Sequence, residues 1–319
     1  MSEFPHRLGY ACLNTVLRAA NPSVFCSRTA RISTLEKGDD VARGLGRLNV
    51  LDLLKIIQWN EDHNIRFMRI SSVLFPFASH EIYGYSLEYC KDELKQVGDL
   101  AKRLSHRLTL HPGQTNNLGS PLPNVIEATR RDLMYHTQML ELMELDQDSV
   151  MIIHGGGVYG DKLAALERWE TNFKGLGENV RNRLVLENDE ICYSTEDLLP
   201  MCERLDIPLV FDWHHHRLNP GVVPLGQLLE RIKAIWVRRG IRQKMHYSES
   251  CLDLGPNASL QQRRKHSDFV QDIVCCGNDI DLMIEAKMKE QAVFHIYDKY
   301  SIRRAKKLSI PREVIFKSL

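Results

Sequence analysis

Short apolar strands and longer amphipathic helices alternate about eight times along this chain of 319 residues. Runs rich in β-branched and aromatic residues predict buried parallel strands at 7–13, 65–71, 107–112, 149–156, 183–189, 207–215, 243–249 and 281–287. Helical periodicity lies between them at 51–62, 86–105, 123–145, 161–176, 195–205, 225–239 and 261–276. Ser194 and Thr195, ahead of Glu196 and Asp197, predict an N-cap for the fifth of these helices. Strand followed by helix, repeated in this way, restricts the fold to the α/β class.

The alternation alone fits two architectures, a TIM (β/α)8 barrel and a doubly wound open sheet. A chemically reactive side chain at the carboxyl end of almost every predicted strand favours the barrel, because barrel active sites collect at that end of all eight strands. No internal repeat, low-complexity stretch or linker divides the chain. We therefore predict a single domain over residues 1–319, with its core at 7–300 and a basic extension at 301–319.

Composition excludes several classes of protein but identifies no partner. Lys and Arg number 42 against 41 for Asp and Glu, so the net charge of +1 indicates neither a strongly basic nucleic-acid protein nor an acidic one. No apolar run approaches the roughly 18 residues of a membrane span, and the amino-terminal segment lacks a signal-peptide core. We expect a protein of a reducing compartment, with no membrane partner. The eight cysteines form no CxxC pair, which argues against a zinc ribbon.

Histidines and carboxylates stand at the ends of most predicted strands. Neutral imidazole and carboxylate are ligand types for zinc, manganese and iron. At the mouth of a barrel these side chains would converge, and they are too many for one ion. They predict a cluster of two or three divalent ions, which suits a displacement at phosphorus because both the attacking and the leaving oxygen are stabilised. The strand-end positions are Asn14, His80, His111, His154, Glu187, Asp212, His215, His246 and Glu285.

Two motifs allow a second interpretation. In DWHHHRLNP the three successive histidines could form a surface tract, but Asp212 and His215 lie where the strand ends and are the predicted ligands, with His214 or His216 as a partner behind them. HGGG at 154–157 is compatible with the oxyanion loop of a hydrolase. No GxSxG nucleophile motif accompanies it, so the metal interpretation is favoured.

Several motifs resemble, in the same order along the chain, those of the UV damage endonucleases. These are repair nucleases of fungi and some bacteria, related to endonuclease IV. The motifs are LGYACLN, RISSVLFPFASH, LTLHPGQ, LVLENDE, FDWHHH and LMIEAKMKE, and the fungal branch is the most similar. The resemblance implies a TIM barrel with a metal cluster, often manganese, with magnesium or zinc as alternatives. It also implies cleavage of damaged double-stranded DNA immediately 5′ to cyclobutane pyrimidine dimers and (6-4) photoproducts.

The same resemblance implies roles for individual residues. The implied metal ligands are His80, His111, His154, Glu187, Asp212, His215, His246, His266 and Glu285. Lys244 matches a lysine that the family carboxylates near the metals. Glu187 and Glu285 would bridge or orient the ions, so these two and Lys244 are the implied catalytic residues. Hydrolysis at the cluster would leave a 3′-hydroxyl and a 5′-phosphate.

The implied lesion-contacting residues are Tyr10 and Asn14, which line the damage pocket in the family, and Gln114, one half of a pair inserted into the duplex. The next position departs from the family. Where the family commonly shows HPGQY or HPGQF, this chain reads HPGQTNN, with Thr115 in place of the aromatic wedge. Stacking of a base on an aromatic side chain is worth about 1 to 3 kcal/mol. We therefore expect lesion recognition to be weakened or shifted toward sites that are already unstacked.

Three other functions stay open at this stage. They are an abasic-site nuclease of the endonuclease IV kind, a metal-dependent sugar isomerase, and a damage-binding protein without catalysis. A fungal-type nuclease is expected in the nucleus or mitochondrion, with RRAKK at 303–307 as a candidate import signal, and a bacterial one in the cytoplasm. We expect a monomer, because a nuclease of this kind acts on one duplex.

Overall fold

A computed structural model describes residues 6–251, 254–274 and 279–302. Within these residues the strands are β1 (His6–Ala11), β2 (Phe67–Arg69), β3 (Arg107–Thr109), β4 (Met151–His154), β5 (Leu184–Glu187), β6 (Leu209–Asp212), β7 (Lys244–Tyr247) and β8 (Ile280–Ile284). The helices are α1 (Thr15–Ala19), α2 (Asp40–Asp62), α3 (Lys91–Arg103), α4 (Pro123–Leu142), α5 (Lys162–Lys174), α6 (Glu178–Arg181), α7 (Thr195–Leu205), α8 (Trp213–Leu218), α9 (Leu225–Arg238), α10 (Leu260–Arg263) and α11 (Glu290–Lys299). Two 3-10 helices occur at Ile32–Lys37 and Leu87–Cys90.

The strands form one parallel sheet that closes on itself. The order is β3-β2-β1-β8-β7-β6-β5-β4, so β1 pairs with both β2 and β8. The last gap is bridged by Leu110, whose amide donates to the carbonyl of Val150 at 2.9 Å and whose carbonyl accepts from Ile152 at 3.0 Å. Closure confirms the predicted TIM barrel and excludes the open sheet, and it brings the carboxyl ends of all eight strands to one mouth.

The strands are apolar because both of their faces are covered. Helices pack against the outer face and side chains fill the interior, so strands such as β5 and β8 are buried over their whole length. Long surface helices contribute one apolar face each, as in α9, where Leu228, Ile232, Ile235 and Trp236 are buried. The polar residues that matter for function therefore stand where the strands end.

One buried carboxylate collects three arginines near the amino ends of the strands. Asp281 of β8 is fully buried and accepts two hydrogen bonds from Arg7, at 2.7 and 2.6 Å. Arg107, itself buried, donates to it at 2.8 Å, and Arg242 donates at 2.8 Å. The three arginines come from segments that start β1, β3 and β7, so this network ties separate parts of the barrel together at the end opposite the mouth.

Two predicted elements extend well beyond the observed ones. The predicted strand over 207–215 ends at Asp212, because that carboxylate caps α8, accepting from the amide of His215 at 2.7 Å. The predicted helix over 261–276 is present only as α10 within the described residues. Beyond it, the amide of Ser267 donates to the carbonyl of Glu249 at 2.8 Å, and the Glu249 carboxylate accepts from the amide of Gln271 at 3.0 Å. These tertiary hydrogen bonds replace the internal ones of a helix.

Other parts of the chain also differ from the sequence predictions or lie outside the described residues. The helix predicted at 51–62 begins earlier, since α2 starts at Asp40, and α11 was not predicted. The basic extension, including RRAKK, falls outside the described residues from 303 onward. No helix in the described part of the chain is long and apolar enough to cross a membrane.

Candidate metal centre

Three overlapping groups of histidine and carboxylate side chains lie at the mouth of the barrel. They are His111, His154 and Glu187; Glu187, Asp212 and His215; and Asp212, His246 and Glu285. Within each group the potential ligand atoms all lie within 4.8 Å of one another. Glu187 belongs to the first two groups and Asp212 to the last two. Shared carboxylates of this kind are suited to bridging neighbouring ions, and seven of the nine predicted ligands are brought together here.

Glu187, the last residue of β5, lies at the centre of the arrangement and is buried. Its Oε2 accepts from His111 Nε2 at 3.0 Å and its Oε1 accepts from His246 Nδ1 at 2.8 Å. Burial alone would raise the pKa of this carboxyl, but the neighbouring imidazoles of His246 and His154 hold it well below its usual range. Glu187 is therefore an anion held in place on both oxygens.

The donors at the mouth fit a bound cation. Asp212 is fully buried, and its Oδ2 has no hydrogen-bond partner among the described residues. Burial raises the pKa of Asp212 to about 7, and the negative charges of Glu187 and Glu285 add to the effect. The buried Nδ1 of His154 also lacks a partner. An unpaired buried polar atom costs about 1 to 3 kcal/mol, and a divalent ion held by the Asp212 carboxylate would satisfy its free oxygen.

Asn188 supports the ligands from behind. Its side chain accepts from the amide of Asp212 at 2.9 Å and donates to the carbonyl of the same residue at 3.1 Å. Its own carbonyl accepts from His215 Nδ1 at 2.9 Å. Sequence reasoning missed this residue, although its position directly after Glu187 at the end of β5 was a usable signal.

Arg69 is a second functional residue that sequence reasoning missed. It ends β2, and its guanidinium pairs with the carboxylate of Glu285. Burial would raise the pKa of Glu285, but the charge of Arg69 holds it well below its usual range. Glu285 therefore carries a negative charge that Arg69 balances in this structure and that an ion would share. The available signal was again a charged residue at a strand end.

Lys244, the first residue of β7, is fully buried beneath the centre. Its Nζ lies 2.7 Å from His246 Nε2, on the side of that ring opposite to Glu187. Burial lowers the pKa of Lys244 well below its usual value, and the charge of Arg69 adds to this. The neutral form of this amine is therefore favoured, and it contacts a candidate ligand.

Two predicted ligands lie outside the three groups. His80 is in the loop after β2, where its Nδ1 accepts from the amides of Ile82 at 3.1 Å and Tyr83 at 3.3 Å, and it lines a separate cavity beside α4. His266 lines the mouth, but its ring packs edge-on against His214, with centroids 5.3 Å apart. The structure does not bring either ring into a ligand group, because each belongs to a loop whose path is set by other contacts.

The two residues predicted to line the lesion pocket, Tyr10 and Asn14, lie beneath the surface in this structure. Both side chains are fully buried. The Tyr10 hydroxyl donates to Asn60 Oδ1 at 2.7 Å and accepts from Asn14 Nδ2 at 3.0 Å. Asn14 Oδ1 caps α1 by accepting from the amide of Leu17 at 2.8 Å. These residues hold the end of β1 and offer no surface to DNA.

A cavity of about 490 Å³ opens above the ligands. One wall is the loop after β3, which contributes Gln114 to the lining and also carries the exposed Thr115. The lining also includes Arg264 and Lys265. Arg264 is ion-paired with Glu190, a carboxylate whose Oε2 lies 3.5 Å from His215 Nε2. The cavity thus joins the candidate metal ligands to a lining that carries cations.

Comparison with known proteins identifies the family. The family model described as UV-endonuclease UvdE matches residues 6–317. The chain belongs to the UvdE family. Relatives in this family include the UV-damage endonuclease of Schizosaccharomyces pombe, which is 49% identical over 308 residues, covering 93% of this chain and 51% of the relative. The UV-damage endonuclease of Neurospora crassa is 42% identical, covering 95% of this chain and 52% of the relative.

The chain therefore spans about half the length of these two fungal relatives. A crystal structure of SacUVDE superposes with a TM-score of 0.82 at 28% sequence identity, covering 93% of this chain and 98% of that one. The UvdE match and this superposition confirm the resemblance to UV damage endonucleases that the motifs indicated, and they agree with the closed barrel.

Proposed function

We propose that this chain is a metal-dependent endonuclease that cuts damaged double-stranded DNA immediately 5′ to cyclobutane pyrimidine dimers and (6-4) photoproducts. The products would be a 3′-hydroxyl and a 5′-phosphate. The observation that carries the proposal is the set of three ligand groups joined by Glu187 and Asp212 in a chain of the UvdE family. The two fungal relatives are named UV-damage endonucleases, which supports the same substrate.

The three groups would hold two or three divalent ions, manganese first, with magnesium or zinc as alternatives. When bound, such ions supply charge stabilisation at phosphorus and lower the pKa of water. The protein's own part is to hold the donors in position. Glu187 is fixed by His111 and His246, and Asn188 fixes the backbone of Asp212. Arg69 keeps Glu285 ionised at the edge of the centre.

The first experiment is an incision assay with purified protein and Mn²⁺. The substrates are end-labelled duplexes that carry one cyclobutane dimer, one abasic site or no lesion, and each cut is mapped to the nucleotide. We expect a cut directly 5′ to the dimer and no cut in the undamaged duplex. Cleavage of undamaged DNA at the same rate, or no cleavage of either damaged duplex, would contradict the proposal.

A second candidate, an abasic-site endonuclease, is favoured by one observation. Thr115 is exposed at the rim, where it offers a small side chain with little stacking surface. An enzyme with such a rim would act best where a base is already missing. Cleavage of the abasic duplex alone, in the assay above, would replace the first candidate by this one.

We expect Thr115→Tyr to improve incision at a cyclobutane dimer. An aromatic ring at this exposed position would stack on a base, and the stacking energy of about 1 to 3 kcal/mol corresponds to roughly tenfold in kcat/KM. Steady-state incision of the dimer duplex measures the change. Thr171→Tyr, at an exposed position on α5, is the matched control and should have no effect. Unchanged or slower incision by Thr115→Tyr would refute the idea that a missing wedge limits recognition.

We propose that Lys244 is carboxylated in the active protein. The neutral amine of a lysine adds to CO₂ and releases one proton to form a carbamate, and burial favours the neutral form of Lys244 by lowering its pKa. Protein depleted of CO₂ should be less active and should recover when bicarbonate is added, and Lys244→Met should lose incision at every bicarbonate concentration. Lys174→Met, at a surface position paired with Glu170, is the control. Full activity of the depleted wild type, together with an unmodified intact mass, would rule out carboxylation.

A further inference from the structure

Tyr159 is an exposed aromatic residue at the mouth of the barrel. Among the large apolar side chains that are exposed in the described residues, two are aromatic: Tyr159, at 47% exposure, and Tyr300, at 41%. Tyr159 lies in the loop after β4, the strand that ends in the ligand His154. Tyr300 follows α11, and its hydroxyl donates to the carboxylate of Asp272. Of these two, Tyr159 is the one whose loop directly follows a strand that ends in a candidate ligand.

The Tyr159 side chain is held in place although nearly half of it is exposed. Its hydroxyl accepts from Asn117 Nδ2 at 2.6 Å, which ties it to the loop that also carries Gln114 and Thr115. The ring lies close over Gly157, where an added Cβ would approach it to 3.3 Å. The guanidinium of Arg168 lies 5.8 Å from the ring centroid. The ring therefore presents a positioned apolar surface that these contacts leave uncovered.

The backbone around Tyr159 adopts an unusual conformation. Tyr159 has a φ of 49°, in the left-handed region that side chains other than glycine rarely adopt. Gly156 and Gly160 on either side also have positive φ values, of 88° and 80°. Such a conformation costs about 1 kcal/mol or more and persists where surrounding structure enforces it, most often at functional sites. The loop is thus shaped to project this residue.

We propose that Tyr159 is the residue on which a nucleobase stacks when DNA is bound at the metal centre. This inference rests on the proposed function and adds a base-stacking residue to it. A nucleotide near a lesion leaves the duplex stack at a lower cost, and an aromatic side chain replaces the stacking that it loses. Thr115 has no ring to do this, whereas Tyr159, on the neighbouring loop and joined to it through Asn117, has one. Stacking needs no base-specific hydrogen bond, so any base serves.

The test compares Tyr159→Ala and Tyr159→Phe in the Mn²⁺-loaded protein, with Tyr300→Ala as the control for loss of an exposed ring. We expect Tyr159→Ala to lower kcat/KM on the dimer duplex about tenfold, since stacking on one aromatic is worth this much. Tyr159→Phe, which keeps the ring, should stay within about twofold of the wild type. Tyr300→Ala should match the wild type, and unfolding temperatures should show that all three variants are folded.

A second measurement separates stacking from a structural role. A tetrahydrofuran residue, which has no base, replaces each nucleotide around the lesion in turn. If Tyr159 stacks on one base, wild type and Tyr159→Ala should be equally active when that base is absent and should differ at all other positions. Equal activity on every duplex, or a loss that persists whichever base is removed, would overturn the proposal.

The same variants keep the two proposals distinguishable. If the wild type cut no damaged duplex, the proposed function would fail, and stacking would be judged from binding of a fluorescent single-stranded oligothymidylate by anisotropy. Weaker binding by Tyr159→Ala than by Tyr159→Phe and Tyr300→Ala would then support stacking. Equal binding by all three would refute it.

Discussion

Replacing Glu187 by glutamine is expected to abolish incision and to leave the barrel folded. Glu187 belongs to two of the three ligand groups, and it accepts from His111 and His246 through separate oxygens. Glutamine keeps the size of the side chain but removes its charge and one acceptor oxygen. Because even residues behind the ligands of metal sites contribute about 10- to 100-fold, loss of a shared ligand should cost at least about 100-fold in single-turnover rate.

Two measurements besides the incision rate test the role of Glu187. The Mn²⁺ content per chain should fall, and the unfolding temperature of the metal-free protein should change little, because the substituted atoms lie at the mouth and not in the apolar core. Glu203→Gln is the matched control, since that carboxylate lies on α7 in a surface ion pair with Arg231 and should not affect incision. Wild-type turnover by Glu187→Gln would remove Glu187 from the metal site.

Replacing Asp281 by asparagine is expected to produce the largest loss of stability. Its carboxylate is fully buried and balances Arg7, Arg107 and Arg242 together. Removal of one partner from a buried ion pair costs about 3 to 5 kcal/mol, because the remaining charge stays buried without compensation. Arg107 is the residue most affected, since its side chain is only 1% exposed. Denaturant unfolding, monitored by circular dichroism, measures the difference in free energy.

A neighbouring residue provides a matched control for this variant. Asp279 pairs with the same Arg242, but its side chain is 83% exposed. Exposed ion pairs contribute about 0 to 1 kcal/mol, so Asp279→Asn should be almost as stable as the wild type. Equal losses in the two variants would show that burial of the Asp281 network does not determine its contribution.

The contribution of Asp281 to the free energy of unfolding should also depend on pH, and it should decrease as the pH falls. Burial alone would raise the pKa of this carboxyl, but the hydrogen bonds from Arg7 and the charge of Arg107 hold it below its usual value of 3.8. With a lower pKa in the folded than in the unfolded state, the stabilisation is fully present above the unfolded pKa and is lost as the pH falls toward the folded one. The gap in stability between wild type and Asp281→Asn should therefore narrow below about pH 4.

The sequence alone predicted the barrel because the relevant signals are local. A buried parallel strand needs a short apolar run, and a surface helix needs one apolar face, so both periods are visible along the chain. The helix α7 begins and ends where the sequence predicts, and Ser194 caps it in a capping box with Asp197. The positions of the candidate ligands could also be predicted from the sequence, because parallel strands in a closed barrel must all end at one mouth.

Other features depend on distant contacts and were decided by the tertiary structure. Tyr10 and Asn14 match the family pattern, but hydrogen bonds with Asn60 and the cap of α1 bury them. His80 and His266 stand near strand ends in the sequence, yet their loops follow hydrogen bonds and ring contacts that lead away from the ligand groups.

The residues that support the candidate metal centre also depend on distant contacts. Asn188 and Arg69 acquire their roles from partners on other strands, and the lowered pKa of Lys244 results from its burial and the charge of Arg69. Tyr159 acquires its position from Asn117 on another loop. The sequence determined which residue types stand at the mouth, because hydrophobic periodicity marks where each strand ends. Only the closed barrel decided which atoms meet there, because hydrogen bonding and burial between segments far apart in the chain have no local signal.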